Sequence, residues 1–147
     1  MAQRPYNPIM AVALLIYLSW SVGITALAAQ DVQKNEMYET INARQQTSWE
    51  TAKQIWNWAE PGYQETKSSA LLIKTLRSQG FDIESGVAGM PTAFTATFGE
   101  GKPVIGMLGE YDALPGLSQQ AIPQRAQTEH KSNGYGHGCG HHLLGVA

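Results

Sequence analysis

The sequence predicts an α/β chain, on three observations. Asp31 to Ala59 and Lys67 to Gln79 carry apolar residues at helical spacing, and Ala93 to Phe98 alternates like a strand. Val104-Ile105-Gly106-Met107-Leu108 is then a near-continuous apolar run, the pattern of a strand covered on both faces. Length and composition allow this: 147 residues, 43% of them hydrophobic, suffice for one core. The net charge of −2 supplies no basic field, which argues against a nucleic-acid binder. The single cysteine rules out an internal disulfide.

Residues 1–28 stand apart from the fold. Arg4 is the only charge before Asp31, Ile9 to Trp20 is strongly apolar, and Ala26-Leu27-Ala28 offers an A-x-A site. That order is the plan of a secretory signal peptide cut after Ala28, giving a secreted or periplasmic protein. The competing reading is an uncleaved membrane anchor, since the uncharged span is long enough to cross a ~30 Å hydrocarbon core. Export would place Cys139 in an oxidising compartment, where a lone thiol calls for a reason such as metal ligation.

From Asp31 onward, Met37, Ile41, Trp49, Ala52, Ile55, Trp56 and Ala59 fall on about one third of a helix circumference, and the tryptophans read as core. Pro61-Gly62 stops that helix. Thr66 is the expected N-cap of the next, whose apolar side is Ala70, Leu72, Ile73 and Leu76. Gly80 falls at C′, with Phe81 folding back on the last turn. Phe81 to Glu84 reads as a short strand and 86–91 as a loop. Ala93–Phe98 and Val104–Leu108, separated by a Gly/Pro turn, are expected to pair as a hairpin. Ser118 to Asn133 is a long polar loop in which His130 is expected to be exposed. Leu143 to Ala147 reads as the opening of a buried helix, not the finish of a domain.

Two places carry chemistry. Glu110 and Asp112 emerge where the apolar run ends, and ligand sites in open α/β sheets lie just past strand carboxyl ends. The plainer role for Asp112 is to cap the Ala113–Gly116 turn. The second place is Gly134-Tyr135-Gly136-His137-Gly138-Cys139-Gly140-His141-His142. Imidazole and thiolate are the side chains that best bind zinc-like ions. If the backbone is extended, His137, Cys139 and His141 share a face; if a helix starts near Gly140, Cys139 and His141 still converge from its first turn. The plainer reading is a Gly-rich loop with surface histidines.

Gly109-Glu110-Tyr111-Asp112-Ala113-Leu114-Pro115-Gly116-Leu117 and Gly136-His137-Gly138-Cys139-Gly140-His141 together resemble the paired motifs of the aminoacylase/carboxypeptidase family of metallo-amidohydrolases. The similarity is to the branch of p-aminobenzoyl-glutamate and indoleacetyl-amino-acid hydrolases. The stretch Trp58 to Ser69 resembles its N-terminal region, and the likeness covers roughly Asn35 to Ala147. The resemblance implies a zinc-peptidase-like catalytic domain, a mixed sheet flanked by helices. Residues 29–147 would be its N-terminal part, with the inserted dimerisation domain absent. It implies two divalent ions, zinc or manganese, with Cys139 and His141 as ligands and Asp112 as the aspartate that orients a ligand. It implies hydrolysis of an amide in an N-acyl or aminobenzoyl amino acid, and dimeric full-length relatives. Many relatives carry a His ligand where Glu110 stands, and Asn or Asp where His142 stands. His137 is not a family ligand. The family's catalytic Glu and its remaining ligands lie after this motif, so the expected behaviour of these 147 residues alone is inactivity. The alternative is an exported, non-catalytic metal-binding or interaction module. A membrane partner is expected only if residues 1–28 are retained.

Overall fold

The computed structural model describes the backbone of residues 8–128 and 134–147, with side chains from residue 32 onward. His130 therefore lies outside the described residues, as do the side chains on which the signal-peptide and anchor readings rest. Among the described residues no helix is long and apolar enough to cross a membrane. The chain divides into two compact units, 1–45 and 46–147.

Helix α1 is Pro8–Trp58 and contains nearly the whole segment expected to be helical from Asp31. Among the described residues its side chains in the first unit are exposed, Met37 and Ile41 included. In the second unit Trp49 is exposed too, whereas Ala52, Ile55 and Ala59 are buried, Ile55 completely. The apolar stripe is thus covered only over its last two turns, and Trp49 is not a core residue. Ala59 ends the helix in the left-handed region at φ +43°, with its N–H on the Ile55 carbonyl at 3.0 Å.

Helix α2, Thr66–Ser78, is capped differently from expectation. Glu65 holds the N-cap position and makes no side-chain cap bond. The carboxylate of Glu60 caps the helix from outside it. It accepts from the amides of Lys67 at 3.0 and 3.1 Å and Ser68 at 2.8 Å, and from the Ser68 hydroxyl at 2.8 Å. An anion at this end also meets the positive pole of the helix. The far end is the Schellman arrangement read from the sequence. Gly80, at φ +88°, donates to the Arg77 carbonyl, and Phe81 donates to that of Leu76. Phe81 then packs against Phe98, ring centroids 5.2 Å apart.

Strand β1, Asp82–Ser85, pairs antiparallel with β2, Phe94–Thr97, in the register Asp82↔Thr97 to Ser85↔Phe94. A one-turn 3₁₀ segment, Val87–Gly89, lies between them. Phe94 and Ala96 turn inward while Thr95 and Thr97 face solvent, as the alternation requires. The coarse α/β class holds, a small antiparallel sheet with helix α2 packed against it.

The expected hairpin between β2 and Val104–Leu108 does not form. β2 pairs with β1, and residues 104–108 join no strand. Val104, Ile105, Met107 and Leu108 are 84–94% exposed. Reading a buried strand from hydropathy presupposes neighbouring strands and covering layers. Among the described residues nothing pairs with this run. At the far end α3, His141–Leu144, is one short turn of helix whose Leu143 and Leu144 are exposed.

Candidate metal centre

The two motif segments are sewn together by backbone hydrogen bonds in the second compact unit. Ala113 donates to the Glu60 carbonyl at 2.8 Å, in a parallel bridge with Pro61. Leu114 and Gly136 exchange both bonds of an antiparallel bridge, at 2.9 and 3.0 Å. Ser118 donates to the Gly134 carbonyl at 3.2 Å. The contact is close enough to demand glycine: a β-carbon at position 136 would overlap the Leu117 carbonyl. On the other side, a β-carbon at Gly145 would lie 2.7 Å from the Glu110 carbonyl oxygen and 3.1 Å from Tyr111 Cβ. Glycine at these two positions lets the Glu110–Leu117 segment pack directly against the Gly/His/Cys stretch and the turn that ends α3.

This packing places His141, the first residue of α3, between two carboxylates. Its Nδ1 lies 2.7 Å from Asp112 Oδ1 and its Nε2 lies 3.1 Å from Glu110 Oε2. The side chains of His141 and Asp112 are 16% and 26% exposed; that of Glu110 is 62% exposed. A carboxylate only accepts, so the Nδ1–H of His141 donates to Asp112 and the tautomer is set by that bond. Nε2 faces the Glu110 carboxylate, which accepts from it when that nitrogen carries a proton and can share a metal ion with it when it does not.

Tyr111, between the two acids, turns the other way, as period-two alternation dictates. Its hydroxyl donates to the Thr92 carbonyl, and its ring lies 6.1 Å from that of Phe94. Thr92 in turn donates to Glu65 Oε2 at 2.5 Å. Glu65 and Thr92 are both buried. Burial of the ring and the nearby Glu65 carboxylate push the Tyr111 hydroxyl up to about 12.

The remaining residues singled out in the sequence are distributed otherwise. His137 does not share a face with Cys139 and His141. Its Nε2 reaches the Ile55 carbonyl at 3.2 Å, and its ring packs on that of His142 at 4.9 Å. The chain turns at Gly138-Cys139, so the extended geometry that would align the three side chains is broken. Cys139 is exposed. Among the described residues no group of three or more His, Cys, Asp or Glu side chains is gathered as a ready metal site. Asp112 and His141 meet, and Glu110 joins them. The alternation that turns Tyr111 inward is the signal that identifies Glu110, because it puts 110 and 112 on one side. The Glu65–Thr92–Tyr111 relay joins residues far apart in sequence and has no local signature.

The donor types suit a divalent ion. Imidazole nitrogen, carboxylate oxygen and thiolate sulfur are the zinc ligands of proteins, and a carboxylate behind the distal ring nitrogen is the usual companion of a metal-bound histidine.

No family model matches the chain. Individual proteins do, and their likeness over part of their length supports the amidohydrolase/peptidase family. Over 110 residues, 74% of this chain and 22% of the relative, it is 47% identical to a p-aminobenzoyl-glutamate hydrolase subunit of Escherichia coli (strain K12). It is 33% identical over 93 residues to thermostable carboxypeptidase 1 of Saccharolobus solfataricus, covering 60% of this chain and 22% of that protein. Against thermostable carboxypeptidase 2 of the same organism the identity is 35% over 86 residues, 56% and 20% of the two chains. The chain spans about a fifth of the length of these relatives.

Proposed function

We propose that this chain is the N-terminal part of a metal-dependent amide hydrolase acting on N-acyl or aminobenzoyl amino acids. The observation that carries the reading is the Asp112–His141 pair, in which Asp112 takes Nδ1 and Nε2 is turned toward Glu110. The 47% identity to a p-aminobenzoyl-glutamate hydrolase component supports the substrate class. In this reading His141 and Cys139 are ligands to zinc or manganese within a catalytic domain built on a mixed sheet. Asp112 fixes the imidazole tautomer and raises its basicity. A divalent ion bound there polarises an amide carbonyl and lowers the pKa of a bound water. The general base and remaining ligands belong to the segment that follows the motif in the family, so these 147 residues bind metal without turnover. Residues 1–28 direct export to the periplasm or the outside.

Zinc titration of the wild-type chain, Cys139→Ser and His141→Ala tests the reading. We expect one high-affinity ion in the wild type, weakened in Cys139→Ser and abolished in His141→Ala. Equal uptake by all three overturns it.

A further inference from the structure

Glu110 has no part in the proposed hydrolase chemistry, yet its carboxylate occupies the face of His141 that would meet the metal. We propose that Glu110 is itself a ligand of that ion, so that Glu110 and His141 form a pre-set pair of donors. The inference rests on the metal-binding reading and deepens it.

Three features carry it. The first is spacing. Two donors bound about 2.1 Å from one tetrahedral ion stand about 3.4 Å apart. Glu110 Oε2 and His141 Nε2 are 3.1 Å apart, so a few tenths of an ångström of opening suffice to admit an ion between them. The second is direction. Asp112 takes Nδ1 at 2.7 Å and so commits Nε2, the nitrogen facing Glu110, to any metal. The third is placement. The Glu110 backbone is held where its carbonyl oxygen passes Gly145, and the next residue is anchored through the Tyr111 hydroxyl to Thr92. The Glu110 side chain itself is 62% exposed and free to adjust. A fixed backbone with a solvated carboxylate lets an ion enter from water without disturbing the packing. The carboxylate also contributes a negative charge that offsets part of the dication's charge, which the neutral imidazole cannot.

The test is titration of the full chain with Co²⁺ and with Zn²⁺, comparing wild type, Glu110→Gln, Glu110→Asp and His141→Ala. The visible Co²⁺ spectrum is recorded alongside affinity. Glu110→Gln is expected to weaken binding at least about tenfold, since even indirect partners of metal ligands have effects of that size. It is also expected to change the position or intensity of the Co²⁺ bands, and Glu110→Asp to recover part of the affinity. Wild-type affinity in Glu110→Gln with loss in His141→Ala overturns the Glu110 assignment and leaves the metal reading intact. Reduced affinity with an unchanged Co²⁺ spectrum also overturns it, because the charge then acts without coordination. Failure of the wild type to bind either ion overturns the metal reading and this assignment with it.

Discussion

Two neighbouring segments make opposite use of their sequence. Val104–Leu108 is among the most apolar runs in the chain, and it lies open to solvent outside any strand. Glu110–Ser118 is more polar, and it is held by backbone bonds to Glu60, Gly134 and Gly136 and by side-chain contacts to His141 and Thr92. Order here follows from available partners rather than from hydropathy. An apolar run gains from burial only when something covers it. A backbone N–H gains from any acceptor in reach, and the 60–61 and 134–136 segments bring acceptors to residues 113–118.

The sharpest way to break the contrast is to push the two motif segments apart. Gly136→Ala puts a methyl into the Leu117 carbonyl and should cost about 3 kcal/mol or more, enough to unfold a marginal unit. Urea unfolding followed by tryptophan fluorescence would read this. A near-wild-type midpoint would mean the Leu114–Gly136 bridge is not an essential contact.

A smaller effect concerns the anchor at Tyr111. Its ionisation is displaced upward, from about 10 in the unfolded chain to about 12 in the fold, by burial and by Glu65. A group whose folded value is raised contributes stability that is complete below the unfolded value and is lost as pH climbs to the folded one. Stability should therefore fall between about pH 10 and 12. Two units correspond to at most about 2.7 kcal/mol, and screening at a partly exposed ring reduces this to about 1–2 kcal/mol. Tyr111→Phe should remove this component of the pH dependence. An identical pH profile in the two proteins would show that Tyr111 is not its source.

The smallest effect is expected in the other segment. Leu108→Ser should change unfolding free energy by less than about 0.5 kcal/mol, because the side chain is 94% exposed and loses no packing. It should lower self-association, measured by light scattering, by interrupting the exposed apolar run. A large destabilisation would show that the run is covered in solution.

What could be read from the sequence follows the same division. The C-terminal end of α2 was legible because Gly80 and Phe81 act on the carbonyls of Arg77 and Leu76, close by in the chain. Its N-terminal end was not, because the capping carboxylate comes from Glu60 rather than from Thr66. The stripe on α1 was legible as helix but not as core, since period alone does not say which turns are covered. Within the site, Asp112 and His141 stood out by residue type and motif, and they meet. Alternation about Tyr111 puts Glu110 on the side of Asp112, but that both reach His141 depends on how the 109–117 segment is seated against α3, which no local pattern specifies. Of the two backbones weighed for 137–141, the extended one that would align His137 is not taken: the chain turns at Gly138-Cys139 and a helix starts after Gly140.

Glu60 has a consequence that reaches beyond its helix. Its side chain grips the first turn of α2, while its carbonyl grips Ala113, one residue from Asp112. One residue thus serves as the rivet through two plates. The start of α2 and the strip that carries the acids around His141 are thereby tied to the same point of the chain.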